Sequence, residues 1–175
     1  MISDEALMLE FQGGSREAFD ELFERYREPL YGFFGRRLAA KERAADLTQE
    51  TFLGILRAKE RYQPRALFRT YLYGIALKLL AAERRRDAWS GAPVEGDPPG
   101  GELDDSLWVR QAMAKLDASE REILMLREYE QLSYSEIAAL LRLPLNTVRS
   151  RLFRARMALK IYLEPAERSR EHVER

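Results

Sequence analysis

The sequence has no cysteine and a single histidine, His172. The first absence excludes disulfides and thiolate metal sites. The second removes catalysis or metal binding built on imidazole. Valine is scarce, and no four-residue stretch alternates cleanly between apolar and polar residues, so half-buried strands are not expected. No apolar run approaches the ~18 residues of a membrane span. The N-terminus, MISDEALMLE, is acidic and unlike a signal peptide. The expectation is a cytoplasmic protein with no membrane contact of its own. Also missing are a phosphate-binding glycine loop, a metal-ligand cluster and a nucleophile–base pair. Enzymatic chemistry, a metal and a cofactor are therefore not expected.

Helices are what the sequence contains instead. Its 175 residues can hold one ordinary domain or two small ones. The 33% charged fraction suits helices with wet outer faces. A first helix is expected from Asp4 to Gln12, stopped by Gly13-Gly14, with Ser15 as N-cap of a second. In that second helix Phe19, Leu22, Phe23, Tyr26, Leu30, Phe33, Phe34 and Leu38 form one apolar stripe. Pro29 lies inside it and should kink it. A third helix is expected over about 44–59 and a fourth over about 67–86, with Leu72, Ile75, Ala76, Leu79 and Leu80 inward.

The composition then changes. From Asp87 to Leu107 every charge is negative, and most positions between Gly91 and Gly101 are Gly or Pro. Such a segment cannot bury enough apolar area to offset the entropy of ordering it. It reads as a flexible acidic linker. Helices follow at about 107–116, 119–130 and 133–142, then a basic helix, then a polar tail from Pro165 expected to fray. The expected fold is all-α: helical domains at 1–88 and 107–165, joined by a linker at 89–106, with a tail at 166–175.

The second domain carries the clearest local signature. Ser133-Tyr134-Ser135-Glu136 fits a capping box, and Leu143-Pro144 interrupts the short helix it starts. Asn146 or Thr147 restarts the chain. Val148, Leu152, Ala155 and Leu159 then face inward, while Arg149, Ser150, Phe153 and Arg154 lie off that stripe. Residues 145–160 carry Arg149, Arg151, Arg154, Arg156 and Lys160 and no acid, in a chain whose net charge is zero. Two short helices, a tight turn and a basic second helix make a helix-turn-helix, which lays its second helix in a DNA major groove. Arginine can fork onto guanine O6 and N7, and other cations meet phosphate.

Two helices of the first domain carry further signals. In DLTQETFL, Asp46, Gln49, Glu50 and Leu53 share a helical face that is acidic with one apolar residue. That face suits contact with a basic partner helix. In RYQPRALFRTYLYGIALKLLAAERRR, aromatic residues (Tyr62, Phe68, Tyr71, Tyr73) are interleaved with cations such as Arg61, Arg65, Arg69, Lys78 and Arg85. Single-stranded nucleic acid asks for that mixture, with bases stacked on rings and cations along the backbone. Phe68 and Leu72 are also expected in the core.

Three stretches together resemble a known family. DLTQETFLGIL resembles the DxxQExF helix of bacterial sigma factors of the extracytoplasmic-function type, the two-domain class of the sigma-70 superfamily. FRTYLYGIALKLL resembles their promoter-melting helix, usually built on a WLYRIARN core. LSYSEIAALLRLPLNTVRSRLFRARMALK resembles the helix-turn-helix of their second domain. The likeness runs over residues 5–163 in the family's order. It implies a factor that binds core RNA polymerase, recognises −35 and −10 promoter elements and promotes melting. Asp46, Gln49, Glu50, Phe52 and Leu53 would dock on the beta-prime clamp helices. Arg61, Tyr62, Arg65, Phe68, Arg69, Tyr71, Lys78 and Arg85 would meet the −10 element, with a flipped base held by the loop 61–67. Asn146, Thr147, Arg149, Ser150, Arg151, Phe153 and Arg154 would meet the −35 element. The second domain would also grip the beta flap, and a cognate anti-sigma factor is an expected partner. Three positions depart from the family pattern: Tyr71 for Trp, Lys78 for Asn and Gly74 for Arg. Two competing readings are a free-standing helix-turn-helix regulator that binds operator DNA without polymerase, and a protein-only adaptor.

Overall fold

A computed structural model describes residues 2–90 and 104–171, all of whose regular structure is helical. The chain divides into two compact units, Met1–Pro99 and Gly100–Arg175. The first holds α1 (Asp4–Gln12), α2 (Arg16–Gly35), α3 (Lys41–Ala58), a 3-10 turn (Lys59–Arg61) and α4 (Phe68–Ser90). The second holds α5 (Asp104–Ala114), α6 (Ala118–Glu128), α7 (Tyr134–Leu141) and α8 (Leu145–Glu171).

Local chemistry sets most boundaries of the first unit. Ser3 and Ser15 cap α1 and α2, each accepting from the backbone N–H three residues on. Between these helices Gly14 takes a φ of 107°, which glycine adopts without a steric penalty. Ser15 N–H then donates to the Glu10 carbonyl and Gly14 N–H to that of Phe11, a Schellman closure of α1. The helix α2 runs through Pro29 without interruption. Pro29 is exposed, so the carbonyl freed by its missing N–H can face water. The start of α3 is Lys41, three residues earlier than the apolar pattern suggests.

The core of this unit is aromatic. Phe33 is fully buried, with Phe34 at 5.1 Å, Tyr73 at 5.4 Å and the Arg37 guanidinium 3.9 Å above its ring. A second cluster joins Phe11, Phe19, Phe23 and Phe52 across α1, α2 and α3. The helices α3 and α4 meet where Gly54 faces Ile75. A Cβ at Gly54 would sit 3.0 Å from the Ile75 side chain, so that approach requires glycine or a shift of the isoleucine. The helix α1 also holds both ends of the 62–67 loop. Gln12 donates to the carbonyls of Lys59 and Tyr62, and the Glu5 carboxylate accepts from the Phe68 N–H at 2.7 Å, satisfying an orphan amide of α4.

In the second unit α8 packs on α5, α6 and α7. Arg121 of α6 donates to the carbonyls of Ala114 and Leu116, closing the end of α5. The inward residues Ile123, Leu126, Ile137, Val148, Leu152 and Ala155 are almost fully buried. Helices take up both ends of the expected linker: Trp89 and Ser90 belong to α4, and α5 opens at Asp104. The rest of the linker, 91–103, lies outside the described residues, as does the tail at 172–175. Backbone helix also continues past Pro165 to Glu171, where fraying is expected from composition alone.

Candidate nucleic-acid interface

The α7–α8 turn positions the basic helix. The Ser133 hydroxyl accepts from the Glu136 N–H at 3.2 Å, and the Glu136 carboxylate accepts from the Ser133 N–H at 2.8 Å, completing the capping box. The other end of α7 stops on Arg142, whose φ of 54° is left-handed. Leu143 N–H donates to the Ala138 carbonyl and Arg142 N–H to that of Ala139. This Schellman motif has arginine where glycine is usual. Replacing Arg142 with glycine is expected to stabilise this unit by about 0.5–1 kcal/mol, since left-handed strain in a side-chain-bearing residue exceeds the entropy glycine adds to the unfolded chain. Denaturant unfolding checks it, and an unchanged or lower midpoint would refute it. The helix α8 begins at Leu145, one residue ahead of Asn146, with the Pro144 carbonyl accepting from Thr147 and Val148.

With Val148, Leu152 and Ala155 buried, Asn146, Arg149, Ser150, Phe153 and Arg154 are exposed on the other side of α8. Phe153 is 66% exposed, a large apolar ring open to contact. Thr147 and Arg151 are half-buried. The Arg151 charge adds to hydrogen bonds from Ser119 in holding the Asp117 carboxyl below its usual range. Half-buried, Arg151 stands apart from the exposed row. Two arginines of α8 meet acids of α6: Arg154 donates to Glu120 at 2.9 Å and Arg156 to Glu128 at 2.7 Å. These partners lie 34 and 28 residues apart in sequence, beyond the reach of a periodicity reading.

On α4, Tyr71, Lys78 and Arg85 recur every seven residues and so share a face. Lys78 and Arg85 are exposed and Tyr71 is half-buried, its ring 5.3 Å from Tyr62. Arg61 and Arg65 are exposed and Arg69 is half-buried. Of the −10 set, Tyr62 requires correction, and Phe68 takes the core position also expected for it. Tyr62 and Phe68 are 4% and 1% exposed, packed against each other and, for Phe68, against Tyr26. They support the loop from beneath and present no ring face to a base. Burial pushes the Tyr62 hydroxyl up to about 12, with the Glu5 charge adding to the effect, and that hydroxyl has no hydrogen-bond partner among the described residues. The same face of α4 continues to Trp89, eighteen residues from Tyr71 and 94% exposed, a position that composition alone places in the linker.

On α3, Asp46 and Gln49 are exposed, Glu50 is half-buried and Leu53 is 44% exposed. Phe52 is buried between Phe19 and Phe23, so it belongs to the core and leaves the docking set. Sequence reasoning missed two residues of this face. Leu56, exposed one turn beyond Leu53, follows from carrying the helical spacing one step further. Arg43 carries no local signal. It forks onto the buried Glu83 of α4 at 2.7 and 2.8 Å while reaching Glu50 at 3.2 Å and Asp46 at 3.5 Å.

Among the described residues no group of His, Cys, Asp or Glu could hold a metal, and no helix is long and apolar enough to cross a membrane. The chain matches the family models Sigma-70 region 2 over residues 22–90 and Sigma-70, region 4 over 106–159. It is 34% identical over 182 residues to the RNA polymerase sigma-H factor of Pseudomonas aeruginosa, covering 93% of this chain and 94% of that one. It is 32% identical over 184 residues to the ECF RNA polymerase sigma-E factor of Escherichia coli K12, covering 94% and 96%. Its fold is similar to that of CnrH in complex with the cytosolic domain of CnrY, with a TM-score of 0.71 and 24% identity over 93% of this chain and 97% of that one. It is also similar to RpoE in complex with the anti-sigma factor NepR from Bartonella quintana, with a TM-score of 0.70 and 22% identity over 83% and 96%. With both family models in order and relatives matched along nearly their whole length, the chain belongs to the extracytoplasmic-function family of RNA polymerase sigma factors.

Proposed function

We propose that this protein is a promoter-specificity subunit that joins core RNA polymerase in the cytoplasm, reads −35 and −10 elements and assists melting, with no catalytic chemistry of its own. The observation that carries this reading is the exposed row Asn146, Arg149, Ser150, Phe153 and Arg154 on a helix oriented by a capped helix-turn-helix. In the duplex major groove such a row can reach base edges while neighbouring cations meet phosphate. The α3 face of Asp46, Gln49, Glu50, Leu53 and Leu56 supplies the polymerase contact, its acids meeting cations of the clamp helices and its leucines meeting apolar stems. The second unit grips the beta flap. Melting costs base stacking. Along α4, Tyr71, Lys78 and Arg85 return part of that cost, at ~1–3 kcal/mol for each base stacked on a ring. The acidic segment between the units offsets the two basic faces, which accounts for a net charge of zero. The CnrY and NepR complexes of similar folds support an anti-sigma partner for this chain as well.

The test is co-purification with core polymerase followed by run-off transcription on a random promoter library. Association with core, and starts from one enriched −35/−10 pair, are expected. Operator binding by the protein alone, without association with polymerase, would establish the free-standing regulator instead. The same library tests Lys78. Lysine has donors only, whereas the usual asparagine has a donor and an acceptor. Lys78→Asn is therefore expected to change the −10 base preference, and an unaltered preference would remove Lys78 from base reading.

A further inference from the structure

Arg154 is the arginine of the exposed α8 row that is held by a carboxylate of another helix. Its Nε–H donates to Oε1 of Glu120 at 2.9 Å. The two ends of this pair differ in exposure, with 61% of the Arg154 side chain exposed against 17% for Glu120. The carboxylate is thus the covered end and the guanidinium the accessible one. Glu120 lies in the first turn of α6, where a negative charge is favourable, and α6 is packed against α8. Because Glu120 accepts from Nε–H, the terminal amino groups stay available on a side chain that is 61% exposed. These groups can donate two parallel hydrogen bonds to guanine O6 and N7.

We infer that Glu120 is a positioning residue for base reading: it holds Arg154 in one orientation before DNA arrives, and so sets how sharply the −35 element is discriminated. This rests on the proposed role of α8 in −35 recognition. A long side chain already held in place loses less freedom on binding. A phosphate, being a point of charge with several acceptors, gains little from such orientation, whereas a base edge gains a great deal. The effect of Glu120 therefore belongs in discrimination between bases and not in overall affinity.

The experiment uses full-length protein reconstituted with core polymerase and a library randomised only at −35. Arg154→Ala is expected to abolish a guanine preference at one −35 position. Glu120→Ala is expected to weaken the preference at that same position by about three- to tenfold, the equivalent of freeing one long side chain. Preferences at −10 and transcription from scrambled −35 DNA should stay as in the parent. Glu120→Gln keeps an oxygen that accepts from Nε–H and is expected to retain most of the preference, which a role in folding alone would not explain. Two outcomes overturn the inference while leaving the −35 role intact. One is an unchanged preference in Glu120→Ala beside a lost one in Arg154→Ala. The other is a uniform rise on every −35 sequence, which would make Glu120 a competitor of phosphate. An unchanged preference in Arg154→Ala itself would overturn both the inference and the assignment of Arg154 to base reading.

Discussion

Phe52→Ala is expected to lower the unfolding free energy of the N-terminal unit by about 3–5 kcal/mol, the usual range for emptying a buried aromatic site. The Phe52 ring is 4% exposed and lies 4.7 Å from Phe23 and 6.2 Å from Phe19, so its loss opens a void shared by α2 and α3. The adjacent residue should behave in the opposite way. Leu53→Ala removes a side chain of a residue that is 44% exposed and is expected to change stability by less than about 0.5 kcal/mol. Core polymerase binding should nevertheless fall, because Leu53 is an apolar residue of the proposed α3 docking face. Denaturant unfolding followed by circular dichroism, beside a polymerase pull-down, separates the two. A Phe52→Ala protein of parental stability that no longer binds polymerase would return Phe52 to the contact surface.

Arg43→Ala should produce the other large effect, a loss of about 3 kcal/mol. Glu83 is 5% exposed and receives two parallel hydrogen bonds from Arg43. Removing one partner of such a pair leaves a covered carboxylate short of donors, which typically costs about 3–5 kcal/mol. Arg86, at 2.6 Å from Glu83, retains part of the compensation and places the expectation at the lower end. The pair also has a pH signature. Hydrogen bonding from Arg43, helped by the Arg43 and Arg86 charges and opposed by burial, holds the Glu83 carboxyl below its ordinary value of 4.5. A carboxyl lowered on folding contributes stability above its unfolded pKa, and that contribution is lost as pH falls through the folded value. The gap between parent and Arg43→Ala should therefore narrow on acidification below the ordinary carboxylate pKa. Replacing both residues, Arg43→Met with Glu83→Leu, is expected to recover most of the loss at neutral pH. A double variant as unstable as the single one would show that Arg43 contributes through something other than Glu83.

The locally encoded features of this protein were legible in its sequence. Ser15, Ser133 and the glycines at 13 and 14 act where their chemistry places them, and Val148, Leu152 and Ala155 face inward as their spacing requires. The exposed row on α8 follows from that same spacing. Features that depend on a second element were not legible. Phe52 is adjacent to Leu53, and only the positions of α1 and α2 decide that Phe52 turns into the core. Tyr62 reads as an exposed aromatic beside arginines until α4 and α1 close over it. The Arg43–Glu83 and Arg154–Glu120 pairs join residues far apart in sequence, and nothing in the neighbouring sequence distinguishes either arginine from a solvated one. Arg142 was hidden for another reason: Leu143-Pro144 accounts for the end of α7 without it, and a left-handed arginine has no compositional signature.

The two tryptophans of the chain lie on different units, Trp89 at the end of α4 and Trp108 in α5, and both are exposed, at 94% and 47%. Emission from Trp89 in the folded protein is therefore already that of a water-bathed ring, and melting the aromatic core of the first unit will barely move it. Trp89 fluorescence is accordingly nearly blind to unfolding of the first unit. The same property makes it a reporter of coverage, because any partner that dries one indole shifts its emission to shorter wavelength. Trp89→Phe leaves a protein whose only indole watches the second unit, and Trp108→Phe leaves one that watches the end of α4. Polymerase, promoter DNA and an inhibitory partner can each be added to both, and the order in which the two units are occupied read from colour alone.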